Sequence, residues 1–289
     1  MAGGRCHDRD VSSAAFDPET IKRGIAGVFD RGAEFYDQVG VDFFAPAARD
    51  LVARASLQPG ERVLDLGTGR GAVLFPAAQA VGPTGRVVGI DLSGRMVELA
   101  EADAAARGLQ HVTVMQGDAE HPEFGDGSFD AVLAGLALFM LPDAASAVGR
   151  YAGLLTGGGR LCFTTFGQSD PNFDAAMRAL GSFVPGGLPP RSDRQGALGS
   201  RHGITDLLTN RGFAPPAIDE ITYESRFADF DHWLTWVWSH GGRFTLERIP
   251  AERLDDATNA AKATFEPART PAGDYLIRTE IRFTVARPA

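Results

Sequence analysis

Asp65, Asp91, Asp118 and His240 are the side chains whose types and settings suit them to chemistry. Asp65 lies in "VLDLGTGRGAVLF", Val63 to Phe75, two residues before a loop with glycines at Gly67, Gly69 and Gly71. Glycine in such a loop permits positive φ and close approach of backbone to a ligand. Gly67, Gly69 and Ala72 also satisfy G-x-G-x-x-G/A, the nicotinamide-cofactor pattern. Asp91 follows Gly71 by 20 residues at the end of the next strand, where a carboxylate accepts ribose hydroxyls. A dinucleotide and other adenosine cofactors both satisfy this much. Asp65 separates them. A carboxylate about 4 Å from a pyrophosphate costs several kcal/mol at a protein-like effective dielectric, and beside an ammonium it gains a comparable amount. S-adenosylmethionine carries an ammonium, a sulfonium and one carboxylate, and no phosphate. The plainer alternative is that Asp65 only bonds loop amides.

For proton transfer the six histidines are the candidates. In "HWLTWVWSH", Trp233, Trp236, Val237 and His240 recur at helical spacing, which places His240 on one face with two indoles. Such a face suits a flat or apolar ligand. The alternative is a pair of core tryptophans and a histidine held at a helix end, before Gly241-Gly242, by the dipole. His202 falls in a polar loop, and His7, His111 and His121 read as surface residues.

The elements that would position these groups alternate. Asp17-Pro18 opens a helix through about Asp30, and a second runs from about Phe44 to Ala55. Then "RVLDLG", "GRVVGID", "VTVMQGD", "FDAVLAGLAL" and "GRLCFTTF" read as strands separated by helices, the pattern of a parallel sheet covered on both faces. "FVPGGLPPRSDRQGALGS" (183–200) is a long glycine- and proline-rich loop. "AIDEITYESRF" and "YLIRTEIRFTVAR" read as strands, with helices over 229–266 between them. The expected organisation is a mobile tail over 1–16 and one domain over 17–289. Its cofactor-binding core covers about 57–166, and substrate-facing lid insertions cover 183–200 and 227–270.

Val63–Val73, Gly89–Asp91, Gly117–Ala119, Phe129–Leu133 and Leu154–Phe163 together resemble the successive motifs of class I S-adenosylmethionine-dependent methyltransferases. Within them the chain is most similar to the small-molecule branch related to the ubiquinone and menaquinone enzymes. The resemblance covers about residues 20–166. It implies an α/β, Rossmann-like fold: a seven-stranded, mostly parallel sheet with helices on both faces and a helical lid. It further implies that Asp65 and the loop Gly67, Thr68, Gly69 and Gly71 hold the methionine moiety. Asp91 would hold the ribose, Leu92 would pack on adenine, and Asp118 with Ala119 would read the adenine edge. Ala134 would approach the sulfonium and methyl, and Met96 joins the cofactor contacts. "RGAEFYD" resembles the segment that folds over the methionine end, which makes Tyr36 a contact, the alternative being a tyrosine packed on the core.

Methyl transfer is an in-line displacement that needs alignment and a dry site, and a base only where the acceptor must first lose a proton. His240 is the candidate catalytic base. No Asn/Asp-Pro-Pro-aromatic motif follows the fourth strand, where "AGLALFML" stands, and Cys162 lies inside a strand, so DNA-base chemistry is disfavoured. A net charge of −9 without a basic run disfavours nucleic acid as a partner. Two distant cysteines make no metal or redox spacing, and no metal is expected. Ala131 to Pro142, the longest nearly apolar run, is too short to span a bilayer, and the N-terminus lacks a signal-peptide pattern, so a cytoplasmic, membrane-free protein is expected. The expected activity is methyl transfer to O, N or C of a small organic molecule in secondary metabolism. The alternatives are a nicotinamide oxidoreductase, or a protein that keeps the cofactor for cyclisation or decarboxylation. Only Lys22 and Lys262 are lysines.

Overall fold

The computed structural model describes residues 17–187 and 196–289. The expected mobile tail with His7, and the centre of the 183–200 loop with Arg191 and Arg194, lie outside the described residues. β1 (Arg62–Leu66), β2 (Arg86–Asp91), β3 (Val112–Gln116), β4 (Phe129–Ala134), β5 (Leu155–Phe166), β6 (Ala217–Phe227) and β7 (Tyr275–Ala286) form one sheet in the order β3-β2-β1-β4-β5-β7-β6. The first five are parallel, and β7 runs antiparallel to both β5 and β6. Successive residues of a strand face opposite sides. Val63, Val87, Ala131, Leu133 and Cys162 accordingly join one apolar cluster, while Leu64, Leu66, Val88, Ile90, Val132 and Ala134 join another. Both sheet faces are thus covered, as continuous apolar strands require. The chain order reverses between β1 and β4, so their carboxyl ends border the crevice where open α/β sheets bind ligands.

Helices α1 (Pro18–Gly32) and α2 (Phe44–Ala55) match the expected segments closely. Helices α3 (Leu74–Val81), α4 (Gly94–Ala106) and α5 (Ala144–Leu154) separate the strands as the alternation requires, and α6 (Pro171–Gly181) and α7 (Arg201–Thr209) lead from β5 towards β6. Asp17 caps α1 through the Thr20 amide, and Ser93 caps α4 through the Met96 amide, each satisfying a free donor of a first turn. His202 lies within α7, not in a loop, and pairs with Asp206 one turn on. His111 is half-buried, with Nε2 3.0 Å from the Ala78 carbonyl.

Between β6 and β7 come α8 (Phe230–Ser239), α9 (Arg243–Leu246) and α10 (Leu254–Phe265). The face of α8 expected to line an acceptor cavity is core instead. Trp233 is 0% exposed, stacks on Phe265 with centroids 4.5 Å apart, and meets Phe230 and Phe173 at its other edges. Trp236 is buried among Phe43, Phe173 and Phe227. The reason is partner supply: α6, α10 and β6 bring enough rings to enclose both indoles, which a helical wheel of α8 alone does not reveal. The helix also stops one residue before His240, whose backbone is extended (φ −140°, ψ −157°). His240 therefore does not continue the helical face, although its ring still lies 4.3 Å from that of Trp236.

Candidate active site

Asp65 is the penultimate residue of β1, beside Gly89 and Leu133 of the flanking strands, and it is only 1% exposed. Its Oδ2 accepts from the Thr68 hydroxyl at 2.7 Å, and its Oδ1 has no hydrogen-bond partner. Burial pushes its carboxyl up to about 7, the Asp91 charge adds to this, and the Thr68 hydroxyl and the Leu74 amide oppose it. A buried carboxylate with an unpartnered oxygen is unstable in isolation and is suited to receive a cation.

The loop after it is shaped for close approach. Gly67 has φ 67°, and a Cβ there would fall 2.7 Å from the Ala137 Cβ. Gly69 has φ 51°, and its amide donates to Asp91 Oδ2 at 2.8 Å. Asp91 Oδ1 accepts the Ser93 amide at 2.9 Å, so one carboxylate ties the glycine loop to the start of α4. Burial raises the Asp91 carboxyl, the two amides oppose that, and Asp30 adds repulsion. Leu92 is half-buried beyond it, and Met96 is buried on α4.

At the end of β3, Asp118 Oδ1 accepts the Glu120 amide at 2.8 Å and Oδ2 accepts Lys22 Nζ at 2.8 Å. The Ala119 carbonyl takes the Tyr151 hydroxyl at 2.6 Å. Ala134 is fully buried at the end of β4. Two residues later Leu136 sits at φ 51°, a region few bulky residues adopt, with its amide donated to Thr164 Oγ1 at 2.9 Å. That left-handed turn ends the fourth strand earlier than "FDAVLAGLAL" suggests.

Tyr36 faces Gly69, its ring carbon 3.9 Å from where a Cβ would stand, and stacks on Phe44 with centroids 4.9 Å apart. Burial, then the nearby Asp37 and Asp91 charges, hold its hydroxyl above the usual range. Phe44 in turn meets the His240 ring edge-on at 6.0 Å. A run of rings thus leads from the glycine loop to the end of α8. Burial pushes His240 down to about 4, against the opposing Val237 contact, so it is neutral at pH 7. Its Nδ1 lies 3.2 Å from the Val237 carbonyl and 3.4 Å from the Gly242 amide, so the backbone engages that nitrogen in either tautomer.

The arrangement therefore gathers Asp65, the glycine loop, Asp91, Asp118, Ala134 and Tyr36 around the carboxyl ends of β1 to β4. Lys22, Asp30, Leu136 and Thr164 are additions that sequence reasoning missed. Lysine scarcity was the one signal for Lys22, and nothing local marks Leu136. Phe44, Phe139 and Phe166 also stand half-buried in the ring set without a sequence motif.

Comparison with known proteins decides the chemistry. Residues 57–188 match the family of methyltransferase domains. Nocamycin O-methyltransferase of Saccharothrix syringae is 38% identical over 243 residues, covering 78% of this chain and 85% of that protein. This chain belongs to the methyltransferase family. Aklanonic acid methyltransferase DauC of Streptomyces sp. (strain C5) is 46% identical to this methyltransferase over 146 residues, covering 50% of the chain and 66% of that protein. The YcgJ protein of Bacillus subtilis shares the fold at a TM-score of 0.58 and 20% identity, covering 84% of this chain and 99% of that one.

The enzyme is a methyltransferase and its methyl donor is S-adenosylmethionine. The nicotinamide alternative falls. The residues present fit that donor: an orphaned buried carboxylate oxygen beside a glycine cradle accommodates an ammonium and would repel a phosphate. No described helix is long and apolar enough to cross a membrane.

Proposed function

We propose that this methyltransferase modifies an oxygen of a small, flat, largely apolar organic molecule of secondary metabolism. One observation carries the reading. The half-buried rings of Tyr36 and Phe44 lead from the glycine loop to His240, and Phe43, which meets Phe44, joins them to the stacked Phe166 and its neighbour Phe139, a set that favours stacking of a planar acceptor. The name of the nocamycin enzyme points to oxygen, and the name of the aklanonic acid enzyme points to a small organic acceptor.

In this reading Asp65 holds the donor's ammonium, and Gly67, Thr68, Gly69 and Gly71 let the backbone approach its methionine portion. Asp91 accepts the ribose hydroxyls, Leu92 and Met96 supply apolar contact, and Asp118 with Ala119 meets the adenine edge. Ala134 leaves room at the reacting end, and Tyr36 covers it. The donor supplies an activated methyl on sulfonium. The chain's own contribution is alignment and exclusion of water. His240, a neutral imidazole at the end of the ring run, takes the acceptor's proton where one must leave.

The test is methyl transfer from labelled donor to a panel of planar phenols, enols and carboxylic acids, with amines of matching shape alongside. Oxygen acceptors are expected to be labelled, and labelling of amines alone would overturn the reading. His240→Ala is expected to lower kcat about tenfold, below the usual range for a general base, because a base titrating near 4 has little driving force. Binding of S-adenosylhomocysteine should be unchanged. With His240 neutral above about pH 5, its contribution should show no inflection between pH 6 and 7, where an ordinary histidine titrates. Full turnover with an earlier melt would reduce His240 to a helix-end residue.

A further inference from the structure

Lys22 is 6% exposed, an unusual degree of burial for a lysine, and it lies on a helix outside every motif of the cofactor core. Its Nζ is 2.8 Å from Asp118 Oδ2, 2.6 Å from Glu120 Oε2 and 3.6 Å from Glu19 Oε1. Asp118, Glu120 and His121 bring their ligand atoms within 4.8 Å of one another, a grouping that could hold a metal ion. Lys22 already supplies the cation between the first two.

Other groups complete the surroundings. His121 Nδ1 stands 3.4 Å from Asp118 Oδ2, Arg150 donates to the Glu120 carbonyl, and Glu120 Oε1 accepts the Asp143 amide. Farther along α1, Asp30 accepts from the Ser93 hydroxyl at 2.6 Å and the Arg95 amide at 3.2 Å. Helix α1 is thus tied at one end to the segment after β3 and at the other to the segment after β2.

We propose that Lys22 is the positioning residue for the adenine end of the donor site, keeping Asp118 ionised and oriented as a hydrogen-bond acceptor. This rests on the reading that Asp118 meets the adenine amino group. Burial by itself would raise Asp118, but the Lys22 hydrogen bond and the Glu120 amide hold it below the ordinary carboxylate range. Burial likewise would lower Lys22, and the Asp118 and Glu120 bonds keep it above its ordinary value. Without the ammonium, the Glu120 carboxylate beside Asp118 is left uncompensated, and Asp118 takes up a proton more readily as pH falls. A protonated Asp118 presents a donor where the adenine amino group needs an acceptor.

The experiment is a calorimetric titration of S-adenosylhomocysteine into wild type, Lys22→Met, Lys22→Arg, Asp118→Ala and the Lys22→Met/Asp118→Ala double variant. Lys22→Met should weaken binding about tenfold at pH 7.5, the scale of one charge-assisted hydrogen bond. The ratio to wild type should widen as pH falls to 6. Reading the ratio cancels any pH dependence of groups elsewhere in the site. Lys22→Arg should restore most of the affinity, and Lys22→Met should have no further effect once Asp118 is alanine. A ratio independent of pH, or additive losses in the double variant, would mean that Lys22 merely docks α1, and the inference fails. It also fails alone if Asp118→Ala weakens binding while Lys22→Met does not. If Asp118→Ala leaves affinity unchanged, the adenine assignment itself is wrong.

Discussion

Asp65→Asn should weaken S-adenosylhomocysteine binding roughly 10²- to 10³-fold, the range for removing one partner of a buried ion pair. The amide preserves shape and can still accept the Thr68 hydroxyl, but it leaves the ligand's ammonium uncompensated beside a fully enclosed site. The same change should not destabilise the ligand-free enzyme. Burial raises the Asp65 carboxyl to about 7, far above its unfolded value, so the folded state binds the extra proton and loses stability as pH rises towards 7. Above that pH the full penalty of a buried charge remains, and asparagine removes it. Melting of the variant at pH 8 should therefore equal or exceed wild type. Binding should carry the opposite signature. In wild type, affinity should rise from pH 6 to about 7 as Asp65 ionises and then level off, and that rise should be missing in the variant. Unchanged affinity in a variant that melts normally would remove Asp65 from the donor site.

Asp91→Ala should weaken the same ligand by about 30- to 150-fold, or 2–3 kcal/mol, as hydrogen bonds from the ribose to a charged acceptor disappear. The structure adds a second consequence. The Gly69 and Ser93 amides both lose their acceptor, so the glycine loop and the first turn of α4 should loosen. Titration of Asp91→Asn alongside separates the two effects, since the amide oxygen can still take one of the backbone donors. Affinity for S-adenosylhomocysteine that survives in both variants, with melting unchanged, would move the ribose elsewhere.

Much of this molecule was written locally. Short apolar runs bounded by turn residues, such as "RVLDL" and "RVVGID", read as buried strands, and the Asp17-Pro18 and Ser93 signals mark helix starts. Because a parallel strand delivers its last residue to the same edge of the sheet each time, Asp65, Asp91, Asp118 and Ala134 were legible as neighbours from their places at strand ends. The glycine spacing and the acid before it were enough to point to an adenosine cofactor without phosphate.

Tertiary structure decided what depends on partners distant in the chain. Lys22 and Asp118 are 96 residues apart, and no local pattern pairs a helix lysine with one acid among many. The helical spacing of Trp233 and Trp236 was correctly read as a shared face, but His240 lies beyond the helix end, and only the rings of Phe43, Phe173, Phe227 and Phe265 show that the indoles are enclosed. Periodicity reports that a face must be covered and says nothing of what covers it. Leu136 adopts its strained φ because Thr164 on the neighbouring strand takes its amide, and His240 stays neutral because packed rings replace water around it. Local sequence sets which groups stand at the ends of elements. Their charge states and final neighbours follow from desolvation, which exists only once the elements have packed.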